Sequence, residues 1–336
     1  MRNKISKGIC LRAVYMLILY TSHNNVTSAQ SIASFQPTGS FNEQEFYLEN
    51  FAPDVTVSLN APDYFNIKGK TYLIVFAIPN GNSIEWTKGK KIKVGDDWHF
   101  NIQHIAAQTR FIRSIDKKNN YIIAYVITKQ KSWPAWKRTT SESKTIIKNI
   151  VSNIAFMFDS YNPQIVLNGH SGGGSFIFGY LDAVEKIPGN IKRIAFLDSD
   201  YGYEDSLHAN KLTSWLKEDK KNKLLVLAYN DSLVIYNGKP LVSPTGGTWY
   251  RSRLMQRKLA ETFSFKTYSD TSLIVYKALN GRVQIILKEN PNGLIYHTTQ
   301  VEKNGFILSL FSGTTYDNRQ LFTYFGERAY RKFISE

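Results

Sequence analysis

A single cysteine, Cys10, occurs among 336 residues, which excludes a disulfide framework and any cysteine-based metal site. Acidic residues are also scarce: 27 Asp and Glu stand against 42 Lys and Arg, for a formal net charge of +15. Such an excess points first to a polyanion, either nucleic acid or an acidic glycan. No basic stripe with interleaved aromatics is present, however, and the lysines are scattered, with short runs only at Lys88-Gly-Lys-Lys91 and Lys220-Lys221. Nucleic acid is therefore not an expected partner. Repeats, low-complexity tracts and a Pro/Ser-rich linker are missing too. No apolar run approaches the ~20 residues needed to cross a bilayer. What the chain does have is 43% apolar residues, including 20 Phe, 20 Tyr and 6 Trp. This composition excludes a disordered or fibrous protein, and the length allows a sizeable core without a metal or disulfide staple.

The N-terminus reads as a secretory signal, residues 1–29. Arg2, Lys4, Lys7 and Arg12 form a basic region, residues 13–20 a short apolar stretch, and Thr27-Ser28-Ala29 offers small residues for cleavage. Cleavage after Ala29 would remove the cysteine and four of the basic charges. The remaining chain is expected to be exported, periplasmic or secreted, with no stable membrane insertion. Residues 30–53 read as an extension packed on one domain, residues 54–336.

Within that domain strand-like and helix-like patterns alternate. Thr71 to Ile78 is a continuous β-branched and aromatic run, as in a strand buried on both faces. Tyr121 to Ile127, Ile165 to Leu167, Ile191 to Leu197 and Leu224 to Tyr229 repeat it. Between them, Ile102, Ile105, Ala106, Thr109 and Ile112 share a helical face, as do Ile147, Ile150, Ile154 and Phe158, the latter preceded by the capping-box pattern Thr139-Thr-Ser-Glu142. Phe176, Tyr180 and Val184 form a third helical face, with Pro188-Gly189 as a stop. The alternation predicts an α/β fold, a mostly parallel central sheet with helices on both faces. Asn280-Gly281 between two apolar runs predicts a late antiparallel hairpin. The polar, Gly- and Lys-rich stretch from Asn80 to Phe100 is long for a connection.

Chemistry concentrates at Gly169-His170-Ser171-Gly172-Gly173, a G-x-S-x-G pattern with an apolar strand before it and an amphipathic helix after it. The chain must reverse sharply there, holding a serine in a strained conformation with its hydroxyl exposed, and side chains two positions away would collide with strand and helix. Ser171 then meets the helix N-terminus, whose dipole and N–H groups favour a developing negative charge. The other use of such a turn is phosphate binding, but no Walker lysine or G-x-G-x-x-G follows an early strand.

With this elbow the sequence resembles the α/β-hydrolase superfamily of serine esterases, lipases and peptidases. The resemblance implies a triad in the order serine, acid, histidine. On that order the base is His297, the last histidine of the chain, beyond the strand ending at Leu287. The acid is expected to be Asp231, just past the strand ending at Tyr229, with Asp198 or Asp200 after the preceding strand as alternatives. The oxyanion hole should combine the Gly172 N–H with one from the loop Ile78-Pro-Asn-Gly-Asn-Ser83, the candidates being Asn80, Gly81 and Asn82. That loop departs from the HGGG pattern of many lipases.

Weaker signals lie nearby. Trp133 and Trp136, past a strand end, are candidates to stack on a sugar or aryl group if exposed, although packing is the commoner role of tryptophan. Arg251 and Arg253 are candidates either to hold a carboxylate or to form a solvated helix start. Asp96-Asp97-Trp98-His99 lacks further ligands at metal-binding spacing, so neither metal nor cofactor is expected. The expected activity is hydrolysis of a small-molecule or carbohydrate ester through an acyl-enzyme. Amide or peptide hydrolysis on the same triad, and non-catalytic binding of an anionic glycan, are the alternatives. The oligomeric state is open.

Overall fold

The computed structural model describes residues 35–38, 40–95 and 102–335. The signal-like segment 1–29 and the Asp96–His99 cluster lie outside the described residues. Strands run β1 Gln36–Pro37, β2 Glu43–Ala52, β3 Val55–Pro62, β4 Thr71–Ala77, β5 Asn120–Thr128, β6 Gln164–His170, β7 Ile191–Leu197, β8 Lys223–Tyr229, β9 Ile235–Tyr236, β10 Lys239–Pro240, β11 Lys266–Ser269, β12 Leu273–Ala278 and β13 Val283–Lys288. Helices are α1 Ile84–Lys88, α2 Ile105–Ile115, α3 Trp133–Thr139, α4 Ser143–Met157, α5 Gly174–Ala183, α6 Asn210–Glu218, α7 Thr248–Ala260 and α8 Phe306–Phe311.

All strands except β9 and β10 join one sheet, ordered β1-β2-β3-β5-β4-β6-β7-β8-β13-β12-β11. Its centre, from β5 through β13, is parallel, and both edges are antiparallel. The continuous apolar runs follow from this geometry, because alternate side chains enter different cores. Leu73, Val75, Leu167 and Val226 face one core, together with Ile147, Ile150 and Ile154 of α4, Phe176 of α5, Trp215 of α6 and Met255 of α7. Ile74, Phe76, Val166 and Leu225 face the other, against Ile105 of α2 and Phe306 of α8. Helices therefore cover both faces, as predicted.

Two local expectations change. The stretch 30–53, expected only to pack on the domain, supplies β1 and β2 of the sheet. Glu43 of β2 is buried and receives Arg110 and Arg113 of α2, tying this edge to a helix. The capping box does not form. Thr139 ends α3, where its hydroxyl lies 3.3 Å from the Ala135 and Trp136 carbonyls. The chain then reverses through Glu142 (φ +54), which starts α4 without a side-chain cap. The hairpin β12–β13 is antiparallel as expected, turning through Leu279 and Asn280 at positive φ.

Candidate active site

In a parallel sheet the strand carboxyl ends converge on one edge, where ligands bind. Ser171 follows β6, Asp198 follows β7, and Asp231 lies two residues beyond β8. Ser171 sits at φ +55, a left-handed conformation that costs a non-glycine residue energy and is kept where the surroundings enforce it. The enforcement is close packing. A Cβ on Gly172 would run into the Asn80 side chain, and one on Gly174 into the Ser199 carbonyl. The Ser199 hydroxyl in turn donates to the Gly169 carbonyl at 2.9 Å, binding the ends of β6 and β7 together. Gly172 lies in the helical turn Ser171–Gly173 that leads into α5, where the first N–H groups have no intrahelical acceptor.

His297 lies in the irregular segment between β13 and α8, with its side chain about a quarter exposed. Asn290 shapes that segment: its amide donates to the Asn230 carbonyl at 3.0 Å and the Leu294 carbonyl at 2.8 Å, and its side-chain oxygen accepts the Leu294 N–H. The His297 Nδ1 contacts Asp198 Oδ2, and the other Asp198 oxygen accepts the Thr248 hydroxyl. Asp198 is fully buried and also left-handed, at φ +48.

The expected acid, Asp231, is not the one against His297. One of its oxygens accepts the Thr248 N–H at 2.8 Å at the start of α7, and Gly247 lies so close over the carboxyl that a Cβ there would collide with it. Captured by the helix terminus, Asp231 stays one Thr248 side chain behind Asp198. Its other oxygen is buried with no hydrogen-bond partner among the described residues. Burial, and then the nearby Asp198, push its pKa up to about 6. Asp200 is not against the imidazole either. It accepts the Ser252 hydroxyl at 2.8 Å, and burial holds its pKa well above the carboxylate range.

Of the three oxyanion candidates, Gly81 and Asn82 have committed N–H groups. Gly81 donates to the Lys131 carbonyl at 2.8 Å and Asn82 to Pro79 at 3.3 Å. Asn80 is the one that lies against Gly172. Of the two readings of the tryptophans, packing is the one found: both are buried and neither offers an exposed ring to a substrate. Trp133 packs edge-on against Phe176, and Trp136 donates its indole N–H to the Pro53 carbonyl at 3.1 Å, because the Trp-Pro-Ala-Trp segment coils into α3 instead of forming an open loop. The two arginines do not form a pair. Arg251 donates to the Tyr203 carbonyl, while Arg253 lines a cleft of about 330 Å³ with Arg257, Trp249 and Pro244.

Sequence reasoning missed Thr248, Asn290 and Ser199, whose roles arise from contacts across the fold. It also passed over His170, although that residue stands inside the motif. Among the described residues no group of three or more His, Cys, Asp or Glu is arranged to hold a metal ion.

No family model and no curated protein matches the chain. Solved structures that resemble it include a thermostable esterase, at 16% identity and TM-score 0.48 over 81% of this chain, which spans 63% of that protein's length. A feruloyl esterase module from Clostridium thermocellum complexed with sinapinate gives 7% identity and TM-score 0.49, covering 87% of this chain and 98% of that one. A siderophore hydrolase, EstB from Aspergillus nidulans, gives 11% identity and TM-score 0.40, covering 84% and 98%. The chain's own architecture is a mostly parallel sheet clad on both faces, with a left-handed serine between strand and helix at its carboxyl edge. The chain has the α/β-hydrolase fold.

Proposed function

We propose that the protein is an exported serine hydrolase acting on carboxylic esters, with Ser171 as nucleophile, His297 as base and Asp198 as the acid that orients it. The observation that carries this reading is the contact of His297 Nδ1 with the buried Asp198 carboxylate. A carboxylate only accepts, so Nδ1 bears the proton and Nε2 is left with the lone pair that a general base needs. Ser171 Oγ gives its proton to Nε2 as it attacks the ester carbonyl. The carbonyl oxygen becomes an oxyanion, and the Gly172 N–H and an N–H of Asn80 are suited to receive it. His297 then returns the proton to the leaving alcohol, and the acyl-serine is hydrolysed by water activated on the same nitrogen.

Esters are favoured over amides because an alcohol leaving group asks less of the acid. Ser171→Ala should abolish turnover of short p-nitrophenyl esters, and a fluorophosphonate should label the wild-type protein but not this variant. Asp198→Asn should lose about 10⁴ in kcat, as expected when the wrong tautomer is held. Asp231→Asn should stay within about tenfold of wild type. The reverse ranking of the two aspartates would return the orienting role to Asp231, and retained activity in Ser171→Ala would remove the mechanism.

A further inference from the structure

His170, the variable position of the serine motif, is the last residue of β6 and the immediate neighbour of Ser171. Its side chain is 1% exposed. Its Nε2 lies 3.0 Å from the backbone carbonyl oxygen of His297, and the two imidazole rings face one another at 4.6 Å between centroids, inclined by 39°. We propose that His170 is a positioning residue, whose ring N–H ties the loop carrying His297 to the strand carrying Ser171 and so sets the base against the nucleophile. The inference rests on the hydrolase reading above.

The chemistry of the bond fixes the state of the ring. A carbonyl oxygen has no proton to give, so Nε2 is the donor and Nδ1 keeps the lone pair. Nδ1 is buried and no donor among the described residues reaches it. A second proton there would have no acceptor, and the resulting cation would face the imidazole of His297, the titratable group beside it. Burial, and then His297, accordingly hold the His170 pKa well below the ordinary histidine value. His170 is thus a neutral donor of fixed tautomer throughout the range in which an imidazole base works.

The tie matters because this loop has no regular structure of its own to place the base. Between Glu289 and Thr298 the chain is neither helix nor strand. Its other anchors include the contact of the His297 ring with Asp198, the Tyr296 ring edge-on against Tyr229 and Phe325, Asn290 seven residues before the base, and the bond from the Gln300 N–H to the Tyr296 carbonyl at 3.0 Å. The His170 bond reaches the His297 residue itself, and it starts one residue from the nucleophile. Ser171 and His297 come from distant parts of the chain, so this short path sets their separation more directly than the sheet does. A misplacement of about 1 Å in such a pair costs on the order of 10² in rate.

Two substitutions separate the bond from the ring. His170→Phe keeps a flat ring and removes the donor, whereas His170→Gln supplies an amide N–H near the position of Nε2. With p-nitrophenyl esters, His170→Phe should lower kcat by about 10- to 100-fold with KM within about threefold, and should move the acid limb of the kcat/KM profile. His170→Gln should recover most of the loss and restore that limb. Unchanged kcat and pH profile in His170→Phe overturn the proposal. So do equal losses in both variants that track a fall in melting temperature, since that pattern belongs to packing alone. If the wild type neither turns over esters nor takes a fluorophosphonate, the hydrolase reading is what fails. The tie is then read in Ser171→Ala protein by NMR titration of His297, which should shift with His170→Phe and stay put with His170→Gln. A His297 titration indifferent to both substitutions overturns the tie.

Discussion

Asp231 shows how one residue's surroundings can turn it from an orienting acid into a charge held at a cost. In the unfolded chain it titrates at the ordinary carboxylate value of 3.8, whereas in the folded protein burial and Asp198 raise it to about 6. Folding therefore takes up a proton between these values, so stability falls as pH rises through them and the full cost, about 3 kcal/mol, stands above pH 6. Asp231→Asn keeps an oxygen for the Thr248 N–H and removes the charge. It should raise the melting temperature measured at about pH 8 and leave it nearly unchanged at about pH 4. A variant equally shifted at both values would show that volume or hydrogen bonding, not charge, sets the cost.

At the scale of elements, the link between β2 and α2 depends on one buried carboxylate. Glu43 accepts both Arg110 and Arg113, with the nearest contact at 2.6 Å, and burial lowers the Arg113 pKa while Glu43 opposes that shift. Glu43→Ala would strand two guanidinium groups and should cost about 3–5 kcal/mol in urea unfolding; a loss near zero would mean water replaces the carboxylate. This tie also marks the limit of what the sequence reveals. The central strands were legible because each is apolar on both faces, and the elbow because its glycines and serine are contiguous. β2 was not, since Glu43-Gln-Glu45 and Glu49-Asn50 read as polar extension until Arg110 and Arg113 are brought across the fold. The choice between Asp198 and Asp231 was hidden for a similar reason. Both follow apolar strands, and the outcome turns on Thr248, which reaches Asp198 from 50 residues away in the chain. Trp133 and Trp136 stood between two readings, because an aromatic, Pro-containing stretch past a strand end suits an open loop or a packed helix; Ser132 decides for the helix by capping it through the Ala135 N–H at 3.3 Å.

For the molecule as a whole, the net charge of +15 is partly a transport signal if residues 1–29 are removed on export. N-terminal sequencing of the protein recovered from outside the cytoplasm should then begin at Gln30, and an intact Met1 on exported protein would refute the cleavage. No helix among the described residues is long and apolar enough to cross a membrane. The fold itself carries a conflict between endurance and use. The proposed nucleophile and its distant acid, Ser171 and Asp198, both occupy left-handed backbone at the ends of neighbouring strands. Glycine would relax the backbone at Ser171, so the substitution that ends catalysis there also relieves strain, whereas at Asp198 it would strand the Thr248 hydroxyl and the His297 Nδ1. In a lineage released from selection for hydrolysis, drift at the Ser171 strand end would run downhill, leaving the same sheet with no chemistry.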